Sequence, residues 1–208
     1  MKVRLISYSK PPEELYVGND IQELIAYTAR VSNPTNQNNT ETSEKLLRYL
    51  MREAHWSPFE MVSACLEVTT TRDIARQLLR HRSFSFQEFS QRYADPRLQD
   101  TKNRRNSIET DGADLQLNWL KKQAEVVSVS KESYRWAIEN GVAKEQARAV
   151  LPEGIMESRL YVNGTIRSWI HYIGLRTGHG TQKEHIGLAR ACADAIEPIF
   201  PMIKEFCK

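Results

Sequence analysis

Residues 61–70 alternate. Val62, Ala64, Leu66 and Val68 fall on one side, and Ser63, Cys65, Glu67 and Thr69 on the other. A two-residue period predicts a strand with one buried face. Residues 3–8 predict a second, shorter strand. Elsewhere the period is helical. Ile21, Leu24, Ile25, Thr28 and Ala29 follow Asp20 as N-cap, with Glu23 three residues on to complete a capping box. Leu46, Leu47, Leu50, Met51 and Ala54 predict a second helix, and residues 71–80 (TRDIARQLLR) a third. A long amphipathic helix carries Leu117, Leu120, Ala124, Val127, Tyr134 and Ile138 on one stripe, with Gly141 just past its end. Helices near 143–151, 165–177 and 182–197 complete the chain. Two polar stretches interrupt these elements. Residues 33–40 (NPTNQNNT) read as a loop. Residues 94–112 are long, polar and without periodicity, the mark of a binding loop or lid. No repeat or low-complexity tract occurs. The pattern predicts an α+β fold: one helix-rich domain over residues 1–208, with a small antiparallel sheet.

Composition narrows the class. With 40% hydrophobic residues, and eight Tyr, six Phe and four Trp, the chain folds rather than remaining a solvated tail. Its net charge is only +3, but residues 72–105 hold nine Lys or Arg against four Asp or Glu. A local basic cluster in a near-neutral protein points to a discrete anionic ligand more than to a long polyanion. Cys65, Cys192 and Cys207 are far apart and form no CxxC pair, which argues against a zinc ribbon or a disulfide framework and for a reducing, cytoplasmic setting. No apolar signal region and no membrane-length apolar run is present, so no membrane partner is expected.

Residues 80–93 read RHRSFSFQEFSQRY, placing three Arg, one His and three Ser beside Phe84, Phe86, Phe89 and Tyr93. Just upstream, Arg72, Arg76 and Arg80 are spaced by four, which predicts three cations on one helix face. Such a face needs an anion or carboxylates to neutralise it. Guanidinium forks suit a phosphate, and the aromatics suit a planar ring. His81 lies between two arginines, which disfavours its protonated form. The spacing of Arg80, His81, Arg82, Ser85, Ser90 and Arg92 matches the pattern RHRxxSxxxxSxR at every fixed position.

That pattern resembles the signature of the flavin-dependent thymidylate synthases, and Glu88 and Tyr93 fit its usual elaboration. Further resemblance lies in His55-Trp56-Ser57-Pro58-Phe59-Glu60, in the AR-x-x-LP stretch holding Arg148, and in GTIRSWIHYIGLR with Arg167, His171, Leu175 and Arg176. Gln182 and Glu184 follow at the expected distance. The resemblance covers most of the chain from Ile21 onward. It implies reductive methylation of dUMP to dTMP, with methylenetetrahydrofolate as carbon donor and NADPH as reductant through bound FAD. It also implies a homotetramer with active sites shared between subunits, and no nucleic-acid partner. No GxGxxG fingerprint occurs, so a Rossmann site is not expected.

Roles follow residue by residue from the resemblance. Arg80, His81 and Arg82 contact FAD, and Arg80 also reaches the nucleotide. Ser57 contributes a flavin contact across a subunit boundary, although Ser57, Pro58 and Glu60 also read as a helix-capping box. Arg167 and His171, four apart, face FAD together with Glu88. Thr165 stands where relatives often have Asn. Gln77 meets dUMP, and Glu88, Phe89, Ser90, Gln91 and Arg92 hold its uracil and phosphate, with Arg92 and Arg148 as phosphate clamps. Ser90 has no adjacent base and reads as a positioning group rather than a nucleophile. Arg176 is the catalytic candidate, stabilising N3-ionised uracil, although a cation at a helix C-terminus also suits the macrodipole. The cysteines read as structural. Two other readings compete: a nucleic-acid module built on residues 72–105, and a metal protein using His171, His179 and His185. Neither accounts for the Ser and Glu spacing, and no HExxH motif supports the second.

Overall fold

The computed structural model of the protein describes residues 1–15, 20–89 and 113–208. Four antiparallel strands form one sheet in the order β1-β2-β4-β3. They are β1 (Lys2–Tyr8), β2 (Ser63–Thr71), β3 (Ser85–Glu88) and β4 (Glu157–Thr165). β2 and β4 pair along nine residues, from Ser63 opposite Thr165 to Thr71 opposite Glu157. β3 lies on the outer side of β4, with Phe86 opposite Val162. The alternation in β2 is the predicted one: Val62, Ala64, Leu66 and Val68 are buried, joined by Leu160 and Val162 of β4.

Helices α1 (Ile21–Ala29), α2 (Ser43–Arg52), α6 (Ile166–Arg176) and α7 (Lys183–Ile196) share one core with this face. Trp169 of α6 is fully buried, and its indole N–H donates to the Ala64 carbonyl at 3.0 Å, so the ring is buried without an unpaired donor. Asp20 caps α1 as expected, accepting from the Gln22 N–H at 2.8 Å. α2 ends at Arg52, two residues before Ala54, which turns left-handed at φ 56° while the His55 N–H returns to the Leu50 carbonyl. Gly141 ends the long helix α4 (Ala113–Glu139) in the same way, at φ 78°.

Three expectations need correction. Helix α3 (Arg72–Leu78) stops before Arg80, so Arg80 leaves the face shared by Arg72 and Arg76. The helix expected over 143–151 is a single turn, α5 (Lys144–Ala147), followed by a 3₁₀ turn at Arg148–Val150. On α4 the inner seam runs through Leu120, Gln123, Val127, Ser130, Tyr134 and Ala137, with Gln123 and Ser130 its most buried members, whereas Leu117 and Ala124 are exposed. The polar stretch 94–112 lies outside the described residues. Among the described residues, no helix is long and apolar enough to cross a membrane.

Candidate functional site

The site grows out of the turn between α3 and β3. After Leu78 the chain closes two tight turns, with His81 N–H donating to the Leu78 carbonyl and Phe84 N–H to the His81 carbonyl. Phe84 anchors the segment. Its ring packs at 4.5 Å from Trp169 and 5.8 Å from Tyr172. It occupies the space that a side chain on Gly164 of β4 would fill: a Cβ there would lie 2.2 Å from Phe84 Cδ1. With Phe84 held inside, Arg80 and Arg82 stand exposed on either side of a half-buried His81.

His81 meets Phe84, Tyr172 and Arg176. Its ring is edge-on to Tyr172 at 5.0 Å, and its Nε2 accepts a hydrogen bond from Arg176 Nε at 2.9 Å. Burial, with the charge of Arg176 next and smaller effects from His171 and Arg80, lowers the His81 pKa to about 4. The imidazole is therefore neutral at pH 7, with its proton on Nδ1 and Nε2 free to accept. The sequence expectation had the direction right but placed the cause in the flanking arginines; desolvation is larger. Arg176 ends α6, where the helix dipole favours a cation. Among the described residues no carboxylate pairs with it, so its charge is available to an anion.

Along α6, Arg167 and His171 share the exposed side. Thr165 is the N-cap of this helix, accepting from the Ser168 N–H at 3.2 Å. Arg167 pairs with Glu60, which corrects the capping box proposed for Ser57. The 3₁₀ turn Ser57–Glu60 has Trp56, not Ser57, at its N-cap position and no side-chain cap hydrogen bond, and the Glu60 carboxylate is engaged by α6. Ser57 itself is exposed.

A second cluster lies along α3. Arg72, Arg76 and Arg148 line a cleft of about 440 Å³ together with Glu145, Leu151 and Glu153. Glu153 pairs with Arg76, and Glu88 accepts from Ser158 Oγ at 2.7 Å and lies 3.5 Å from Arg72 Nη1. These carboxylates are the neutralising groups that the arginine spacing called for. They are incomplete: Arg72 Nε is buried without a hydrogen-bond partner, with Glu153 3.8 Å away. Gln77, on the same helix, donates from Nε2 to Gln182 Oε1 at 2.8 Å. Phe89 extends the β3 ladder by donating its N–H to the Arg159 carbonyl at 2.8 Å. Ser90, Gln91 and Arg92 lie outside the described residues.

Other sequence readings are answered by burial. Cys192 is fully buried, and burial raises its thiol pKa, so it is inert as a nucleophile. His185 is enclosed in the core rather than joined to His171 and His179, and among the described residues no three ligating side chains converge. From sequence, Glu153 and Tyr172 had no role, Glu60 only a capping role and His185 only a place in the competing metal reading. The signal for a buried His185 was a polar ring in the apolar stripe with Leu188, Ala189 and Cys192.

Comparison with known proteins agrees with this architecture. The family described as Thymidylate synthase complementing protein matches residues 13–202. A probable flavin-dependent thymidylate synthase of Paramecium bursaria Chlorella virus 1 is 50% identical over 212 residues, covering 98% of this chain and 97% of that protein. The flavin-dependent thymidylate synthase of Synechocystis sp. is 46% identical over 214 residues with the same coverage. The chain belongs to the flavin-dependent thymidylate synthase family. Among solved structures, a UMP/dUMP methylase PolB from Streptomyces cacaoi, bound with 5-Br dUMP, matches with a TM-score of 0.83. The match spans 99% of this chain and 93% of that one at 26% identity.

Proposed function

We propose that this chain converts dUMP to dTMP, with FAD as cofactor, methylenetetrahydrofolate as carbon donor and NADPH as reductant. The observation that carries the reading is the Arg176–His81 hydrogen bond. It joins the Arg80–Arg82 segment to the end of α6, and it sets beside a neutral ring a guanidinium that pairs with no carboxylate among the described residues. The exposed cations Arg80, Arg82 and Arg167, with Ser57, Thr165, His171 and Glu88 around them, fit a cofactor that is both anionic and aromatic. Arg80 and Arg82 form no ion pair among the described residues, so an anionic ligand meets no competing partner there.

When bound, FAD supplies the redox chemistry, taking reducing equivalents from NADPH and passing them to the one-carbon unit transferred to uracil. The chain's own residues bind and polarise. Arg176 stabilises negative charge on the N3 edge of uracil, which makes the ring carbon a better nucleophile, and His81 holds its guanidinium from behind. Arg148, with Arg92, grips the nucleotide phosphate; the cleft with Arg72 and Arg76 and the unpartnered Arg72 Nε suit that charge. Gln77, Arg80, Glu88, Phe89, Ser90 and Gln91 orient the base and sugar. Residues 1–208 act as one domain, in the cytoplasm.

Oligomerisation completes the reading. α4 carries a second apolar stripe on its exposed side: Leu115, Trp119, Val126, Val129 and Trp136, spaced by four, seven, three and seven residues. Such a seam suits a second copy of the chain. We take the enzyme as a homotetramer whose sites draw on more than one subunit. The decisive test supplies FAD-loaded protein with dUMP, methylenetetrahydrofolate and NADPH and looks for dTMP by chromatography. NADPH oxidation should accelerate when dUMP is added. Folded, FAD-loaded protein that makes no dTMP would refute the proposal.

A further inference from the structure

His185 is 0% exposed, yet both ring nitrogens are engaged. Nδ1 is 3.2 Å from Gln77 Oε1, and Nε2 is 3.1 Å from the Tyr172 hydroxyl. Burial lowers its pKa to about 3, so the ring carries one proton at neutral pH. The orientation of the Gln77 amide in the structure decides where that proton sits. Gln77 donates from Nε2 to Gln182 Oε1 at 2.8 Å, so its amide oxygen is the atom turned towards the imidazole. An amide oxygen only accepts. His185 therefore carries its proton on Nδ1, and Nε2 accepts from the Tyr172 hydroxyl. The order runs in one sense: Tyr172 to His185, His185 to Gln77, Gln77 to Gln182. Flipping the Gln77 amide alone would set N–H against N–H at His185 and oxygen against oxygen at Gln182, so Gln77, His185 and Gln182 keep or reverse their sense together. One N–H of Gln77 remains outside the chain of bonds.

We propose that His185 is a positioning residue, which through Gln77 fixes an amide N–H, rather than the carbonyl, as the group offered to an acceptor atom of the nucleotide. Gln77 alone would present either end of its amide to a ligand. Tied through its oxygen to a buried ring, it turns its remaining N–H outward, which favours an oxygen acceptor such as a pyrimidine carbonyl or a phosphate oxygen. Tyr172 adds a link to the flavin side, since its ring also packs against His81 at 5.0 Å. The inference rests on the reading of dUMP as substrate.

The test is a double-mutant cycle on FAD-loaded protein, with dUMP affinity measured by calorimetry. His185→Leu should weaken dUMP about five- to tenfold, the scale of one misdirected hydrogen bond, and leave FAD affinity unchanged. In a Gln77→Ala background the same substitution should add less than twofold. Two independent, multiplying losses would overturn the proposal, as would a folded His185→Leu protein that binds dUMP normally. Should His185→Leu fail to fold, Tyr172→Phe takes its place in the cycle with a smaller expected loss and the same non-additivity. Nitrogen NMR of the imidazoles adds a readout independent of substrate: His185 should be neutral with its proton on Nδ1 from pH 5 to 8. A proton on Nε2 would overturn the relay even if dUMP binds. Wild-type protein that fails to bind dUMP would instead sink the functional reading, leaving the relay to be judged on the tautomer.

Discussion

Arg176 has an ordinary and a functional explanation, and its contacts separate them. A helix C-terminus tolerates a cation, which accounts for charge at that place but for no particular geometry. The Nε–H donated to a neutral His81 is geometry that only a guanidinium provides. Lysine keeps the charge and loses the planar fork. Arg176→Lys should therefore retain a melting temperature within a few degrees of wild type while single-turnover dTMP formation falls by about 100-fold or more. A lysine variant of near-normal activity would reduce Arg176 to a helix-end charge. The half-buried His81 and the buried His185 make a second residue-scale prediction. Their folded-state pKa values, about 4 for His81 and about 3 for His185, lie below the unfolded value near 6.5. As pH falls below that value the unfolded chain takes up protons that the folded chain refuses. Stability is thus full above about pH 6.5 and is lost progressively down to the folded values. Thermal melts between pH 7 and 4 should show that decline, and His185→Leu should make it shallower below about pH 6.5. An unchanged slope in that variant would mean the ring is not excluded from protonation.

At the scale of elements, the turn from α3 to β3 depends on one close approach. Phe84 lies over Gly164, and a single methyl group there overlaps the ring. Gly164→Ala should destabilise the protein by about 1–3 kcal/mol in urea titration, the usual cost of overpacking, and weaken FAD binding because Arg80 and Arg82 flank the displaced anchor. Adding Phe84→Leu should recover part of the stability; an alanine variant as stable as wild type would show that the ring moves freely. This dependence also explains what sequence could reveal. β2 was legible because one face of a strand enters the core at every second residue, and α1 and α4 announced their ends through Asp20 and Gly141. The RHR segment was legible as chemistry through its spacing. Its local structure was not: residues 71–80 suit a helix throughout, and the early stop after Leu78 coincides with Phe84 entering the core beside Trp169, far along the chain. Glu60 likewise fits a local capping box but is engaged by Arg167, 107 residues away. On α4, apolar residues follow two seams, so hydrophobicity alone did not decide which faces inward, and the inner seam holds Gln123 and Ser130.

For the whole molecule the question is what covers the outer seam of α4. Val129 and Trp136 are each 63% exposed, and Leu115, Trp119 and Val126 are about half exposed on the same side. Scattered apolar residues on a surface need no explanation, but a row spaced by four, seven, three and seven residues stays on one face of a helix, the arrangement that packs against another helix. The proposed ligand contacts make the same demand from another direction. They are spread over Ser57, residues 77–92, Arg148 and residues 165–176, a wide span for one chain to wrap around FAD, a nucleotide and a folate. Symmetric copies meeting through α4 would bury the seam and complete the sites in one step. The prediction is a particle of four chains by light scattering. Introducing charge at the centre of the seam, as in Val129→Glu with Trp136→Glu, should shift the protein to smaller species, and turnover should fall with the tetramer fraction even though no substituted residue belongs to the ligand set. Far-ultraviolet circular dichroism would confirm that the subunits remain folded. Mixing Ser90→Ala with His81→Ala chains should then restore part of the activity if each intact site can draw its residues from different subunits. A wild-type monomer that is fully active at low concentration would exclude the shared site and leave the outer seam of α4 without a role in catalysis.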